Sequence, residues 1–160
     1  QQLKADVIAK GGVWEDSPAA QLVSTMVEKF DRKGKAFGGG YYEYPEGGKK
    51  HIWPGLKAEF AANGYADIPF QDVKDRLTFC QSLEAVRAMQ EGVVTSVADG
   101  NIGSIMGIGF PAHSGGVFQF INAYGVKAFA ERAKELAAKY GKVFEPPQLL
   151  LDKAAKGENF

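Results

Sequence analysis

Two histidines, His51 and His113, one cysteine, Cys80, two neighbouring aspartates, Asp72 and Asp75, and a few glycine-rich turns are where chemistry in this chain would have to reside. The histidines lie far apart in sequence and neither sits with carboxylates at metal-ligand spacing, which argues against a metal centre. His113 and Ser114 are adjacent, and adjacent residues at a helix start seldom reach the mutual geometry of a base and its nucleophile. Ser114 has a simpler use as an N-cap. Cys80 falls in an apolar helical stripe and reads as a small hydrophobe. Asp72 and Asp75 stand near the start of a long helix, where they favour its dipole without implying a reaction.

Gly107, Gly109 and Ala112 match G-x-G-x-x-[GA] on paper. That pattern holds a dinucleotide only where it joins a strand to a helix, whereas here a helix precedes it and Pro111 interrupts it. Helix termination is the reading preferred. Gly103 and Gly107 lie four apart on one helical face and suggest close approach of a neighbouring helix. Gly38-Gly39-Gly40, flanked by Lys33 and Lys35, runs into Tyr41-Tyr42-Glu43-Tyr44 instead of into a helix, which favours a packed turn over a phosphate loop.

The elements that must carry these residues are helical. Ser17 and Pro18 open a helix whose apolar face is Ala19, Leu22, Val23, Met26, Val27 and Phe30. From Gly34 to about Ile52 there is neither a helical nor a strand period, and the aromatics Phe37, Tyr41, Tyr42, Tyr44 and Trp53 suggest an ordered loop packed on something. A short helix follows from Pro54 to Asn63, closed by Gly64. A long one spans about Gln71 to Glu91, with Val73, Leu77, Cys80, Leu83, Val86 and Met89 facing inward and Gly92 as its stop. Ser96 with Asp99 resembles a capping box and opens a helix broken at Gly109-Phe110-Pro111. Two helices, Ser114 to Tyr124 and Val126 to Tyr140, meet near Gly125. The second sets Val126, Phe129, Ala130, Ala133, Leu136, Ala137 and Tyr140 opposite a polar face that includes Arg132 and Lys139. Pro146-Pro147 begins a last helix to Lys156, ended by Gly157. The fold class expected is all-α.

Composition bounds the function. In 160 residues, 19 basic and 19 acidic side chains cancel and interleave, so no basic stripe favours nucleic acid. A single cysteine excludes an internal disulfide and suits a reducing compartment, so a cytoplasmic location is expected. No run of eighteen apolar residues predicts a membrane span, and Gln1-Gln2-Leu3-Lys4 is neither a signal peptide nor a translation start, so the chain reads as a fragment.

Three stretches resemble one family over about residues 16–160. They are Gly34-Lys35-Ala36-Phe37-Gly38-Gly39-Gly40-Tyr41-Tyr42-Glu43-Tyr44-Pro45, then Asp75-Arg76-Leu77 with Glu84-Ala85-Val86-Arg87 and Glu91-Gly92-Val93, and the run from Ser96 to Pro111. Together they are similar to the C-terminal region of multifunctional fatty-acid β-oxidation enzymes that carry a 3-hydroxyacyl-CoA dehydrogenase module. The resemblance implies a helical bundle of the 6-phosphogluconate dehydrogenase C-terminal-like kind. Residues 1–67 would be the tail of a first helical copy and a connecting loop, and residues 68–160 a second copy.

In that family an upstream Rossmann domain binds NAD and supplies the catalytic His-Glu pair, while the helical domain covers acyl-CoA and holds copies or subunits together. The chain would then hold no cofactor, metal or catalytic residue itself. Its partners would be the upstream Rossmann and first helical domains and, indirectly, acyl-CoA, with homo-oligomers through uncovered surface. In the family's first copy the long helix opens on an Asn-Arg pair; Asp75 before Arg76 stands in its place and implies a lost catalytic role. A Gly-Pro-Phe turn with a later Asp is likewise replaced by Gly116-Val117-Phe118 with Asn122. The alternative is a free-standing helical dimerisation or binding module that uses the aromatic loop from Tyr41 to Trp53.

Overall fold

The computed structural model describes residues 2–14, 17–61 and 67–160, and these are predominantly helical, so the fold is all-α. The chain divides into two compact units, Gln1–Ala66 and Asp67–Phe160.

In the first unit, α1 (Gln2–Ala9) precedes α2 (Pro18–Glu28), and Ser17 caps α2 by accepting from the Ala20 N–H at 3.2 Å. The expected apolar stripe of α2 is only partly covered: Met26 is buried, whereas Val23 and Ala19 stay exposed. The loop expected to lack strand character pairs two residues on each side, β1 (Tyr42–Glu43) against β2 (His51–Ile52), with Tyr42 opposite Ile52. Arg32 is the physical reason. Its guanidinium donates to the carbonyls of Gly40 at 2.7 Å and Tyr42 at 3.2 Å while lying 4.5 Å over the Trp53 ring, which draws the two arms together. Trp53 packs edge-on against Phe30 as expected of the aromatics, but Phe37, Tyr41, Tyr42 and Tyr44 remain exposed. α3 (Gly55–Phe60) follows; the expected stop at Asn63 and Gly64 lies outside the described residues.

The second unit is built on α4 (Phe70–Gln90), α5 (Val97–Ile108), α6 (Val117–Tyr124), α7 (Val126–Tyr140) and α8 (Gln148–Lys156). α4 touches α6, α7 and α8, which makes it the central helix. Its core partners include Phe118, Ile121, Phe129, Leu136 and Leu150, all essentially without solvent contact. Phe79 stacks on Phe129 with ring centroids 3.9 Å apart and meets Tyr124 and Phe120 edge-on.

That stack fixes the rotation of α4 and corrects the inward face expected from periodicity. Leu83 and Val86 do face the core, Cys80 and Met89 are partly covered, but Val73 and Leu77 point to solvent. Asp72, Asp75, Phe79 and Ser82 occupy the interior instead. The turn of the helix is allowed because α7 supplies counter-charges for the two carboxylates.

Candidate functional site

Two features of the second unit combine unusual residue types with geometry: a charged cluster where α4 meets α7, and an apolar groove between α4 and α5.

The cluster starts from Arg132 and Lys139, both expected on the solvent face of α7, which fold back toward α4 instead. Arg132 donates to Asp75 Oδ2 at 2.8 Å and to Asp72 Oδ1 at 2.5 Å. Asp72 Oδ2 accepts from Lys139 at 2.7 Å and from the Tyr140 hydroxyl at 2.6 Å, and Asp75 Oδ1 accepts from Gln71 at 2.7 Å. All four carboxylate oxygens therefore have a donor. The Lys139 and Tyr140 hydrogen bonds, reinforced by Arg132, hold the Asp72 carboxyl well below the usual carboxylate range. Hydrogen bonding to Asp72 raises Lys139 in turn, and burial followed by the nearby Asp75 charge pushes the Tyr124 phenol up. Asp72 is thus held as an anion, and Asp75 is tied to Arg132 and Gln71. A carboxylate in this state braces two helices and is poorly suited to moving a proton. Sequence reasoning assigned Asp72 and Asp75 to the helix dipole and missed the brace, because its cations sit 57 to 67 positions away.

The groove has a volume of about 460 Å³. Ala85, Ala88 and Cys80 of α4 form one side, and Gly100, Gly103 and Ile108 of α5 the other. Its openness to solvent comes partly from Gly103, which has nothing within 4 Å of where a side chain would start, and Gly107 is equally free. The close helix approach expected at Gly103 and Gly107 is therefore corrected. The tight positions are Gly100, where a Cβ would collide with the Phe118 ring, and Gly116, where it would meet the Asn101 backbone.

Gly116 has a second reason to be glycine, a φ of 102° at the entry to α6. Ser114 does not cap that helix, as had been expected, but donates to the Pro111 carbonyl at 2.7 Å. The caps come from α5: Asn101 Oδ1 accepts from the N–H groups of Phe118 at 2.9 Å and Gln119 at 3.3 Å, and Ser104 Oγ accepts from Val117 at 3.2 Å. Asn122 exchanges hydrogen bonds with the Phe160 backbone and ties residue 160 to α6.

The remaining expected candidates stay separate. His113 is exposed, and His51 pairs with Glu43 at 3.1 Å on the hairpin of the first unit. Gly109 is the left-handed C-cap of α5, in line with helix termination. In the Gly38–Gly40 turn, Gly39 bridges back to Gly34, and the Gly40 carbonyl is held by Arg32.

Around the groove the outer face of α4 and α5 exposes large apolar side chains beside the charges of Lys74 and Glu84. Phe70 is 75% exposed, Leu77 63%, Ile102 62% and Met106 82%. This arrangement can bind by burying apolar surface, and its groove walls carry methyls and backbone more than reactive groups. No family model matches the chain.

Proposed function

We propose that this chain is the C-terminal structural and substrate-covering part of an NAD-dependent 3-hydroxyacyl-CoA dehydrogenase of fatty-acid β-oxidation, with catalysis residing in a Rossmann domain elsewhere in the parent. The observation that supports it best is the exposed apolar face of α4 and α5, because a run of large apolar side chains at this exposure is a surface made to be covered. In this reading a first helical copy covers it in the parent, which works in the reducing cytoplasm. The cluster around Asp75 favours the same reading, since the position that carries an active-site Asn in the resembled family here carries a carboxylate consumed by Arg132 and Gln71.

NADH production from NAD and 3-hydroxybutyryl-CoA tests the proposal. The 160-residue chain should be inactive, and a longer chain that adds the upstream Rossmann domain should be active. Turnover by the short chain would place a cofactor site where the helices merely pack. In the longer enzyme Asp75→Asn should change turnover by less than about tenfold, the span of one RT ln 10 step in barrier height.

A second reading, a free-standing helical binding module, is favoured by the exposed Phe37, Tyr41, Tyr42 and Tyr44 on the hairpin. Measurable acyl-CoA binding by the isolated chain would favour the substrate-covering role over a purely adhesive one.

A further inference from the structure

We propose that the first unit carries a binding site for a small aromatic carboxylate, in a cavity between α2 and the turn that leads from Arg32 to Tyr44. The site belongs to the first unit alone and stands whichever of the two readings above holds.

The cavity has a volume of about 250 Å³. That is room for one six-membered ring with a short substituent, since a space of about 150 Å³ already takes benzene. Its floor is apolar: Val23, Met26 and Val27 supply it from α2, and Met26 is the buried one. Tyr41, Tyr42 and Tyr44 line it from the hairpin, and none of their hydroxyls has a protein hydrogen-bond partner among the described residues. The walls thus offer ring faces for stacking and phenol groups free to donate.

The charge around the cavity has one sign. Arg32, Lys33 and Lys35 line it, and no aspartate or glutamate does. Arg32 is committed to the carbonyls of Gly40 and Tyr42 and to the Trp53 ring, so it shapes the wall. Lys33 meets Asp31 at 2.7 Å, a pair of exposed side chains that holds it only weakly. Lys35 forms no ion pair among the described residues, and its ammonium lies 5.6 Å from the centre of the Tyr44 ring.

The glycine turn explains why the two lysines share an edge. Gly34 and Gly39 exchange backbone hydrogen bonds at 2.8 and 3.1 Å, and a Cβ at Gly40 would stand 3.1 Å from the Gly34 Cα. Gly34 takes a φ of 122°, which a larger residue would rarely adopt. The backbone doubles back there and sets Lys33 and Lys35 on either side of Gly34 at the exposed edge of the cavity. A ring can therefore bury itself against Val23 and Val27 between the tyrosines while its carboxylate meets Lys35 and the phenol donors. An anion without a ring would leave the floor wet, and a ring without a charge would forgo the ammonium groups.

Titration of the ¹⁵N-labelled 160-residue chain with phenylacetate, followed by amide NMR shifts, tests this. The expected result is saturable binding at about millimolar, ordinary for a ligand of about ten heavy atoms, with shifts confined to α2 and the hairpin. Acetate, which lacks the ring, and phenylacetamide, which lacks the charge, should each bind about tenfold more weakly or not at all. Lys35→Glu should weaken phenylacetate by about fivefold or more with circular dichroism unchanged, because Lys35 is exposed. Val23→Trp, which fills the cavity from a half-exposed position, should abolish binding; if that variant fails to fold, Lys35→Glu decides alone. Phenylacetamide or acetate binding as well as phenylacetate overturns the assignment of an aromatic carboxylate. Shifts that never saturate, that fall in the second unit, or that ignore Lys35→Glu overturn the site itself.

Discussion

A carboxylate buried at the start of a helix persists only where cations meet it, and Arg132 and Lys139 do so at Asp72. The consequence is a definite pH dependence. Because the folded-state Asp72 carboxyl ionises well below its value of about 3.9 in an unfolded chain, its contribution to stability is present above that value and is lost as pH falls through and below it. Thermal unfolding followed between pH 7 and pH 2 should show Tm falling steeply below about pH 4. Asp72→Asn should start several degrees lower at pH 7 and fall less steeply in acid. Equal slopes for the two proteins would assign the acid sensitivity to other carboxylates. The identities of Asp72 and Asp75 were legible as helix-start residues, but their partners were not, since helical periodicity relates a residue to positions three or four away and says nothing of one on another helix.

Helix limits follow local chemistry closely in this chain. Ser96 accepts from the Asp99 N–H at 3.1 Å and donates to its carboxylate at 2.7 Å, and Gly109 and Gly157 end their helices in the left-handed region, much as the residue types foretell. Helix contacts do not follow so simply, and the glycines of α5 separate the two. Gly100→Ala should destabilise by about 1–3 kcal/mol, because the added methyl strikes the Phe118 ring inside the core. Gly103→Ala should stabilise by about 0.5–1 kcal/mol, because the methyl meets open space and restricts the unfolded chain. Chemical denaturation of the two variants checks both signs, and a loss at Gly103 would mean that a neighbour occupies the groove. The spacing of Gly103 and Gly107 suggested the opposite assignment, since small residues four apart mark a face without revealing whether anything lies against it.

At the scale of the molecule the two units differ in how much apolar surface they bury. The second has a continuous core from Phe79 to Leu150, whereas in the first Met26 is the one buried hydrophobic residue among those described. Unfolding should therefore not be two-state. Calorimetry should resolve a weak lower-temperature transition from a sharper one, and limited proteolysis should cut within residues 1–66 first, leaving a fragment that begins near Asp67. A single transition with cuts spread through both units would count against this. Helical content and the extent of most elements were open to sequence reading; the two-residue pairing of Tyr42–Glu43 with His51–Ile52 was not, because it depends on one guanidinium, Arg32, reaching across the loop.

What the sequence by itself determined was the helical class, the Ser17 and Ser96 caps, the stops at Gly109 and Gly157, and the apolar stripe of α7. These depend on interactions within a few residues, where backbone geometry ties spacing to contact. Tertiary structure alone decided which way α4 turns, which glycines are crowded, and that Asn101 and Ser104 cap a helix other than their own. Each of those depends on which distant side chain arrives at a surface, and that is settled by packing the whole set of helices together rather than by any one of them.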